Sequence, residues 1–233
     1  MRAPRAVERH SAGGHPCVVS VNLALPRATP TKSGTTGIDK RPTSRAVLVR
    51  DPGRRGEAPG SALDGDQVFD HRYHGGTDRA VYAYSREDLD WWQKELQREL
   101  THGMFGENLT TLGVDVNGAL IGERWKVGQD VVLCVTGPRI PCVTFAHWMS
   151  PERGWLKRFT ARGHPGAYLR VERPGYVRAG DPVVVLDRPD HDISVKLAFR
   201  ALTIERALIP RLLEVKESYL TADIRDYIEN WLR

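Results

Sequence analysis

Near the middle of this chain, Gly137-Pro138-Arg139-Ile140-Pro141-Cys142 sets one thiol close to one guanidinium between two prolines. Proline fixes its own backbone torsion, so the segment is stiff where it leaves the apolar run Val131–Val135. A cation beside a cysteine favours the thiolate, the form that binds a metal or attacks a substrate. The pattern alone leaves two readings of Cys142 open, an activated thiol or a small buried hydrophobe. Cys17, at the head of a strand-like run, and Cys134, inside one, read as ordinary buried cysteines.

Three other stretches carry polar chemistry. His74-Gly75-Gly76 precedes Thr77-Asp78-Arg79 and an apolar run. Paired glycines permit positive φ and close backbone approach, so this turn could cradle a ligand or simply bend the chain into a buried strand. Gly106-Glu107-Asn108 reads as a turn, in which Asn108 offers both donors and acceptors to a heterocycle or phosphate. Asparagine is also common in turns for purely local reasons. Lys40-Arg41 before Pro42 suits either an anionic group or a solvated turn.

Short strands must position these residues. Runs at 17–23, 45–50, 79–84, 131–136, 167–172 and 182–186 are rich in Val and Tyr and mostly bounded by Gly, Pro or Asp. The stretch 124–135 reads as strand, turn at Gly128-Gln129-Asp130, and strand, and 176–186 repeats the pattern around Gly180-Asp181. Many short strands with polar turns predict a mainly β fold, a barrel or sandwich rather than a parallel α/β sheet. One helix interrupts them, with Ser85 and Asp88 as a capping box and Leu89, Trp92, Leu96 and Leu100 on one face. Gly103 lies where a chain reversal is expected, and the helix's tryptophans are expected to pack inward. The segment 50–66, rich in Gly, Pro and charge, reads as a surface loop. After about residue 188 the texture turns helical, with breaks near Pro210 and Ser218 and a last helix from Thr221.

Composition bounds the rest. The 233 residues are 40% hydrophobic and 27% charged, which suits a globular chain with a sizeable core. No run approaches the ~18 apolar residues of a membrane helix, and the first sixteen residues lack a signal-peptide core. Three cysteines cannot build a four-cysteine cluster or a disulfide framework, which points to a reducing cytoplasm. The net charge of +5 and pI near 9.2 fit an arginine-rich background or a pocket for an anionic ligand. No nucleic-acid motif appears, and Asp223, Asp226 and Glu229 make the last helix a poor DNA reader.

Taken together and in order, "LDGD…YHGGTDRAVYAY", "FGENLT", "IGERWKVG" and "GPRIPC" resemble the MOSC family, in particular its stand-alone YiiM-like branch. The resemblance runs from about Val18 to the C-terminus. It implies a MOSC-type β-barrel over 17–188 with a few packing helices, after a disordered lead at 1–16 and before a three-helix appendage at 189–233. The loop at 51–62 finds no counterpart and reads as a surface addition.

The resemblance further implies binding of the molybdenum cofactor and reduction of N-hydroxylated compounds such as hydroxylamines, amidoximes and N-hydroxylated bases. Cys142 would ligate the metal, Arg139 would meet the cofactor's anionic portion, and Asn108 would lie near its pterin. Lys40, Arg79, Gly75 and Gly76 would line the pocket, with His74 as a proton donor. Electrons would come from a separate flavoprotein or ferredoxin-type reductase, with the protein a monomer or homodimer. The competing readings are a cofactor carrier, a persulfide-transfer module on Cys142, and a Cys142–His74 hydrolase that lacks a visible orienting acid.

Overall fold

Valine-rich runs separated by Gly, Pro and Asp pair edge to edge in the structure, a computed structural model that describes residues 15–56, 60–150 and 152–233. The disordered lead expected at the N-terminus lies, for residues 1–14, outside the described residues. The first half of the chain forms β1 (Cys17–Ala24), β2 (Arg27–Ala28), β3 (Thr35–Thr36), β4 (Lys40–Thr43), β5 (Val47–Val49), β6 (Val81–Ser85), α1 (Arg86–Leu96) and β7 (Leu109–Leu112). The second half forms β8 (Arg124–Val127), β9 (Val131–Pro138), α2 (Val143–Trp148), α3 (Trp155–Arg162), β10 (Ala167–Arg173), β11 (Gly175–Val177), β12 (Val183–Asp187), α4 (Val195–Thr203) and α5 (Ala222–Leu232).

Eight strands make one sheet in the order β12-β8-β9-β10-β6-β7-β1-β4. All neighbours are antiparallel except β6 and β7, which run parallel because α1 carries the chain back between them. Every residue of β9 is buried, which is why its sequence is a continuous apolar run rather than an alternation. The sheet-dominated fold therefore stands, while its strand pairing is an open order and not a closed ring. The two ends are nevertheless stitched together. Cys17 bridges Pro182, the Val18 N–H donates to the Asp181 carbonyl at 2.9 Å, and the Val183 N–H donates to the Pro16 carbonyl at 2.8 Å.

Local signals mostly act as expected. Ser85 caps α1 by accepting from the Asp88 N–H at 3.1 Å, and its hydroxyl donates to the Asp88 carboxylate at 2.8 Å. The helix ends earlier than the apolar stripe, at a left-handed Gln97, and Leu100 is buried from the loop beyond it. The echo at 176–186 is not a second hairpin. β11 pairs with β5 in a small separate sheet, and β12 pairs with β8. The helical C-terminal stretch contributes Ile209, Leu212, Leu220, Ile224 and Ile228 to the same core as the sheet. No described helix is long and apolar enough to cross a membrane.

Within 50–66 the surface-loop expectation holds for Arg50, Asp51, Arg54, Arg55, Gly56, Asp64 and Gly65, which are exposed, and fails for four residues of its second half. Gly60, Ala62, Leu63 and Asp66 are buried, because the Ala62 N–H and C=O pair with Ala80 and Arg50 and draw this stretch against the sheet. A second core cluster is aromatic: Tyr84, Trp92, Phe105, Phe145, Trp155 and Phe159 pack with ring centroids mostly 5–6 Å apart. It forms the floor on which α2 and the segment before it rest.

Candidate functional site

β9 ends at Pro138, and the next four residues cross the aromatic cluster to reach Cys142, which precedes the first turn of α2. Arg139 turns inward from this crossing. Only 5% exposed, its guanidinium carbon lies 3.6 Å from the Phe145 ring centroid. Its Nη1 is buried without any hydrogen-bond partner, and no carboxylate pairs with it among the described residues. The aromatic ring faces and the nearby Cys142 thiolate offset its charge, and the free Nη1 leaves a donor for a further anionic group.

Cys142 and Arg139 open onto one cleft with His74, Gly75, Arg79, Lys40, Asn108, Asp66, Ser61, Tyr82, Phe105 and Tyr168. It encloses about 780 Å³, its open mouth included. Burial pushes the Cys142 thiol up, but His74 beside it, the Arg139 charge and the Phe145 N–H outweigh burial and bring it down from 9.0 to about 6. Cys134, in β9, behaves oppositely: burial drives it up to about 12. Cys17 lies at the sheet seam, outside the cleft lining.

The remaining expected residues are brought to the cleft, several already engaged. The Lys40 Nζ donates to both Asp66 oxygens at 2.6 Å, so its charge is spent inside the protein. It opens β4 rather than lying in a solvated turn. Asn108 accepts from the Tyr82 N–H at 3.1 Å and donates to Asp66 at 2.8 Å, so it joins two walls of the cleft. Arg79 donates to the Tyr73 carbonyl and to Asp223 on α5, with Tyr168 beside it. His74 is anchored by its N–H to the Asp70 carbonyl at 3.0 Å. Gly75 lines the cleft, whereas Gly76 faces a neighbouring hollow beside Arg55 and Asp223.

Both glycines have a packing reason. Gly75 has φ +75°, and a Cβ there would meet the Gly60 carbonyl oxygen at 2.5 Å. Gly53 and Gly60 are thus packed against the His74 turn: the Thr77 N–H donates to the Gly53 carbonyl and the Gly76 N–H to the Gly60 carbonyl. Arg55 reaches Asp223 at 2.6 Å. Residues 57–59 lie outside the described residues.

Two carboxylates escaped sequence reasoning. Asp66 accepts from Lys40, Asn108, the Ser61 hydroxyl at 2.5 Å and the Ala24 N–H at 2.7 Å. Burial opposes its ionisation, yet the Lys40 charge and these donors hold it below the usual carboxylate range. Glu107, wholly buried, accepts from the Gly103 and Phe105 N–H groups and the Thr110 hydroxyl, and so shapes the turn that presents Phe105 and Gly106. Burial pushes its carboxyl up. Each directly follows a glycine, Gly65 or Gly106, in a short polar turn between apolar residues, the signal that could have flagged both.

The MOSC domain model matches residues 70–184, a span that holds Cys142, Arg139, His74, Arg79 and Asn108. YflK of Bacillus subtilis, an uncharacterized protein, is 35% identical over 185 residues, which cover 78% of this chain and 79% of YflK. The chain belongs to the MOSC family. The crystal structure of YiiM from Geobacillus stearothermophilus superposes with a TM-score of 0.73 at 26% identity, covering 94% of this chain and 100% of that one. This MOSC chain is accordingly of the YiiM-like branch. A protein of Gibberella moniliformis named as a reductase is 32% identical over 163 residues, 69% of this chain but only 29% of that much longer protein.

The residues present fit a molybdenum cofactor. A soft metal selects a thiolate, which Cys142 supplies largely deprotonated near neutrality. The unpartnered Arg139 Nη1 provides a donor for an anionic group. Among the described residues no three His, Cys, Asp or Glu side chains group so as to hold a bare ion. A metal at Cys142 would therefore bring most of its ligands with it, as one held by an organic dithiolene does.

Proposed function

We propose that this MOSC protein is a molybdenum cofactor-dependent reductase of N-hydroxylated compounds: hydroxylamines, amidoximes and N-hydroxylated bases. The observation that carries the reading is the pairing of a depressed thiol at Cys142 with the buried guanidinium of Arg139, whose Nη1 has no hydrogen-bond partner, in one cleft. The relative named as a reductase supports the redox class. The curled sheet, seamed between β1 and the start of β12, is read as the family's barrel, with the helices after residue 188 as its appendage.

Bound there, the cofactor supplies two-electron oxygen-transfer chemistry at a metal, and the overall change is R–NHOH + 2 electrons + 2 protons to R–NH2 + H2O. Cys142 would ligate the metal and Arg139 would hold anionic oxygen in the water-poor inner cleft. His74, beside the thiol, would hand a proton to the departing N–OH oxygen. Asp66 keeps Lys40 and Asn108 in place along the wall. Electrons would come from a separate flavoprotein or ferredoxin-type reductase, in a reducing cytoplasm that suits three unpaired cysteines.

The test is turnover by protein from a cofactor-competent host, with a viologen dye as electron donor and hydroxylamine or benzamidoxime as substrate. Amine or amidine formation that Cys142→Ser abolishes supports the reductase. Molybdenum retained without turnover would instead make the protein a carrier, and sulfane sulfur on Cys142 without metal a persulfide module.

A further inference from the structure

Away from the cleft, two cations contend for one lone pair. His164, in the link between α3 and β10, turns its Nδ1 to the Asp88 carboxylate of α1 at 2.7 Å. A carboxylate only accepts, so Nδ1 carries the proton of a neutral ring and Nε2 presents a single lone pair. The Arg162 Nη1, at the end of α3, and the Lys196 Nζ, on α4, both approach that Nε2, each at 3.4 Å. Such distances are longer than the roughly 2.7–3.2 Å of a good hydrogen bond, and one lone pair cannot serve two full donors. A protonated ring would accept from neither and would add a third positive charge.

Asp88 is too fully engaged to answer both cations. Its carboxylate already accepts from the Ser85 hydroxyl at 2.8 Å, the Asn117 Nδ2 at 2.7 Å and the His164 ring, so the Arg162 Nη2 reaches it only at 3.4 Å. Among the described residues no other carboxylate pairs with Arg162 or His164, and none pairs with Lys196. The Arg162 guanidinium lies 4.2 Å from the Trp91 ring centroid, and its Nε is buried without a hydrogen-bond partner. Lys196 and Trp91 are exposed and Arg162 and His164 half-buried, so a small solute can reach the donors.

None of Asp88, Arg162, His164 and Lys196 lines the Cys142 cleft. Their cluster stands behind its wall. The Tyr84 and Tyr82 hydroxyls donate to the His164 and Pro165 carbonyls at 3.2 and 2.7 Å, and the Arg139 N–H donates to the Gly166 carbonyl at 3.4 Å.

We propose that Arg162, His164 and Lys196 form a second binding site that takes hydrogen phosphate. A tetrahedral oxyanion on the outer side of the ring gives the guanidinium and the ammonium separate oxygens, as charge-assisted hydrogen bonds require. Hydrogen phosphate also keeps a hydroxyl near neutral pH, and that hydroxyl donates to the Nε2 lone pair the two cations then vacate. Sulfate has the same shape without the proton, and a phosphodiester headgroup also lacks it, so both leave Nε2 unanswered. The site is independent of the redox reading and needs no cofactor.

The full chain is titrated with sodium phosphate, and separately with sodium sulfate, near pH 7 at an ionic strength held constant with chloride. The Trp91 indole N–H and the His164 ring protons are followed by NMR, assigned with Trp91→Phe and His164→Gln. Both signals should move along one saturating curve with a Kd on the order of millimolar, and sulfate should bind about fivefold more weakly or worse. Lys196→Gln, at an exposed position of α4, should weaken phosphate about tenfold, as should Arg162→Gln. Lys196→Arg should restore it to within about threefold, and Arg139→Met should leave it unchanged. Vesicles of phosphatidylglycerol should move neither signal.

Shifts that grow linearly with either salt, or a Kd indifferent to both Lys196→Gln and Arg162→Gln, overturn the site. Loss of binding in Arg139→Met also overturns it, by placing the phosphate in the cleft. Sulfate as tight as phosphate, or vesicles that move the signals where phosphate does not, overturns the assignment to hydrogen phosphate.

Discussion

In protein prepared without metal, Cys142 should alkylate as a depressed thiol. With the group brought from 9.0 to about 6, roughly nine-tenths is thiolate at pH 7, against about one part in a hundred for an ordinary cysteine. The gain in rate is smaller than that ratio. A thiolate three pK units less basic is about 16- to 30-fold less nucleophilic, for a Brønsted slope near ~0.4–0.5. The net advantage at pH 7 is only about 3- to 6-fold, so the informative observable is the midpoint of the pH profile. Iodoacetamide labelling between pH 5 and 9.5, quantified peptide by peptide, should give Cys142 a midpoint near 6. Arg139→Met and His74→Ala should each move it upward, because each removes a group that offsets burial. The same shift contributes to stability. A thiol depressed in the folded state stabilises the fold above the unfolded value of 9.0, and that contribution is lost as pH falls through about 6. Stability should therefore rise with pH between about 6 and 9, by at most about 4 kcal/mol at 1.36 kcal/mol per unit. Cys142→Ser should flatten that rise. A Cys142 midpoint at or above pH 8.5 would refute the reasoning.

Other perturbations have distinct signatures. Asp66→Asn leaves the Lys40 charge buried and unanswered, so thermal unfolding should show a loss of about 3–5 kcal/mol, or about 10 °C. Asp223→Asn removes half-exposed pairs with Arg55 and Arg79, so its effect in the same assay should stay below about 1 kcal/mol. Ser85→Ala removes the α1 cap and should cost about 1 kcal/mol in denaturant unfolding. Arg139→Met should lower the molybdenum retained after gel filtration by about tenfold or more, measured by elemental analysis, while Arg139→Lys should retain an intermediate amount.

Much of the site was legible because its parts are local. The prolines around Arg139 and Cys142, the glycines after His74 and the Asn108 turn are short-range signals whose backbone demands show in the sequence. The strands at 17–24, 81–85, 131–138 and 167–173 were legible for the same reason, since valine runs between turn residues form strands. What the sequence did not disclose depends on long-range partners. Lys40 is spent on Asp66, 26 residues away, and Arg79 is tied to Asp223, 144 residues away. The 50–66 segment looked solvated from its Gly, Pro and charge, yet Gly75 and Ala80 draw Gly60 and Ala62 against the sheet. Similarly, β11 and β12 share the hairpin pattern of β8 and β9, but only their tertiary partners decide that β11 joins β5.

The most direct measurement is the molybdenum content of the full chain purified from a host that makes the cofactor, with Cys142→Ser in parallel. The account predicts about one molybdenum per chain in the unaltered protein and a large loss in the variant. A metal-free protein from such a host, or full occupancy without the thiol, would contradict it.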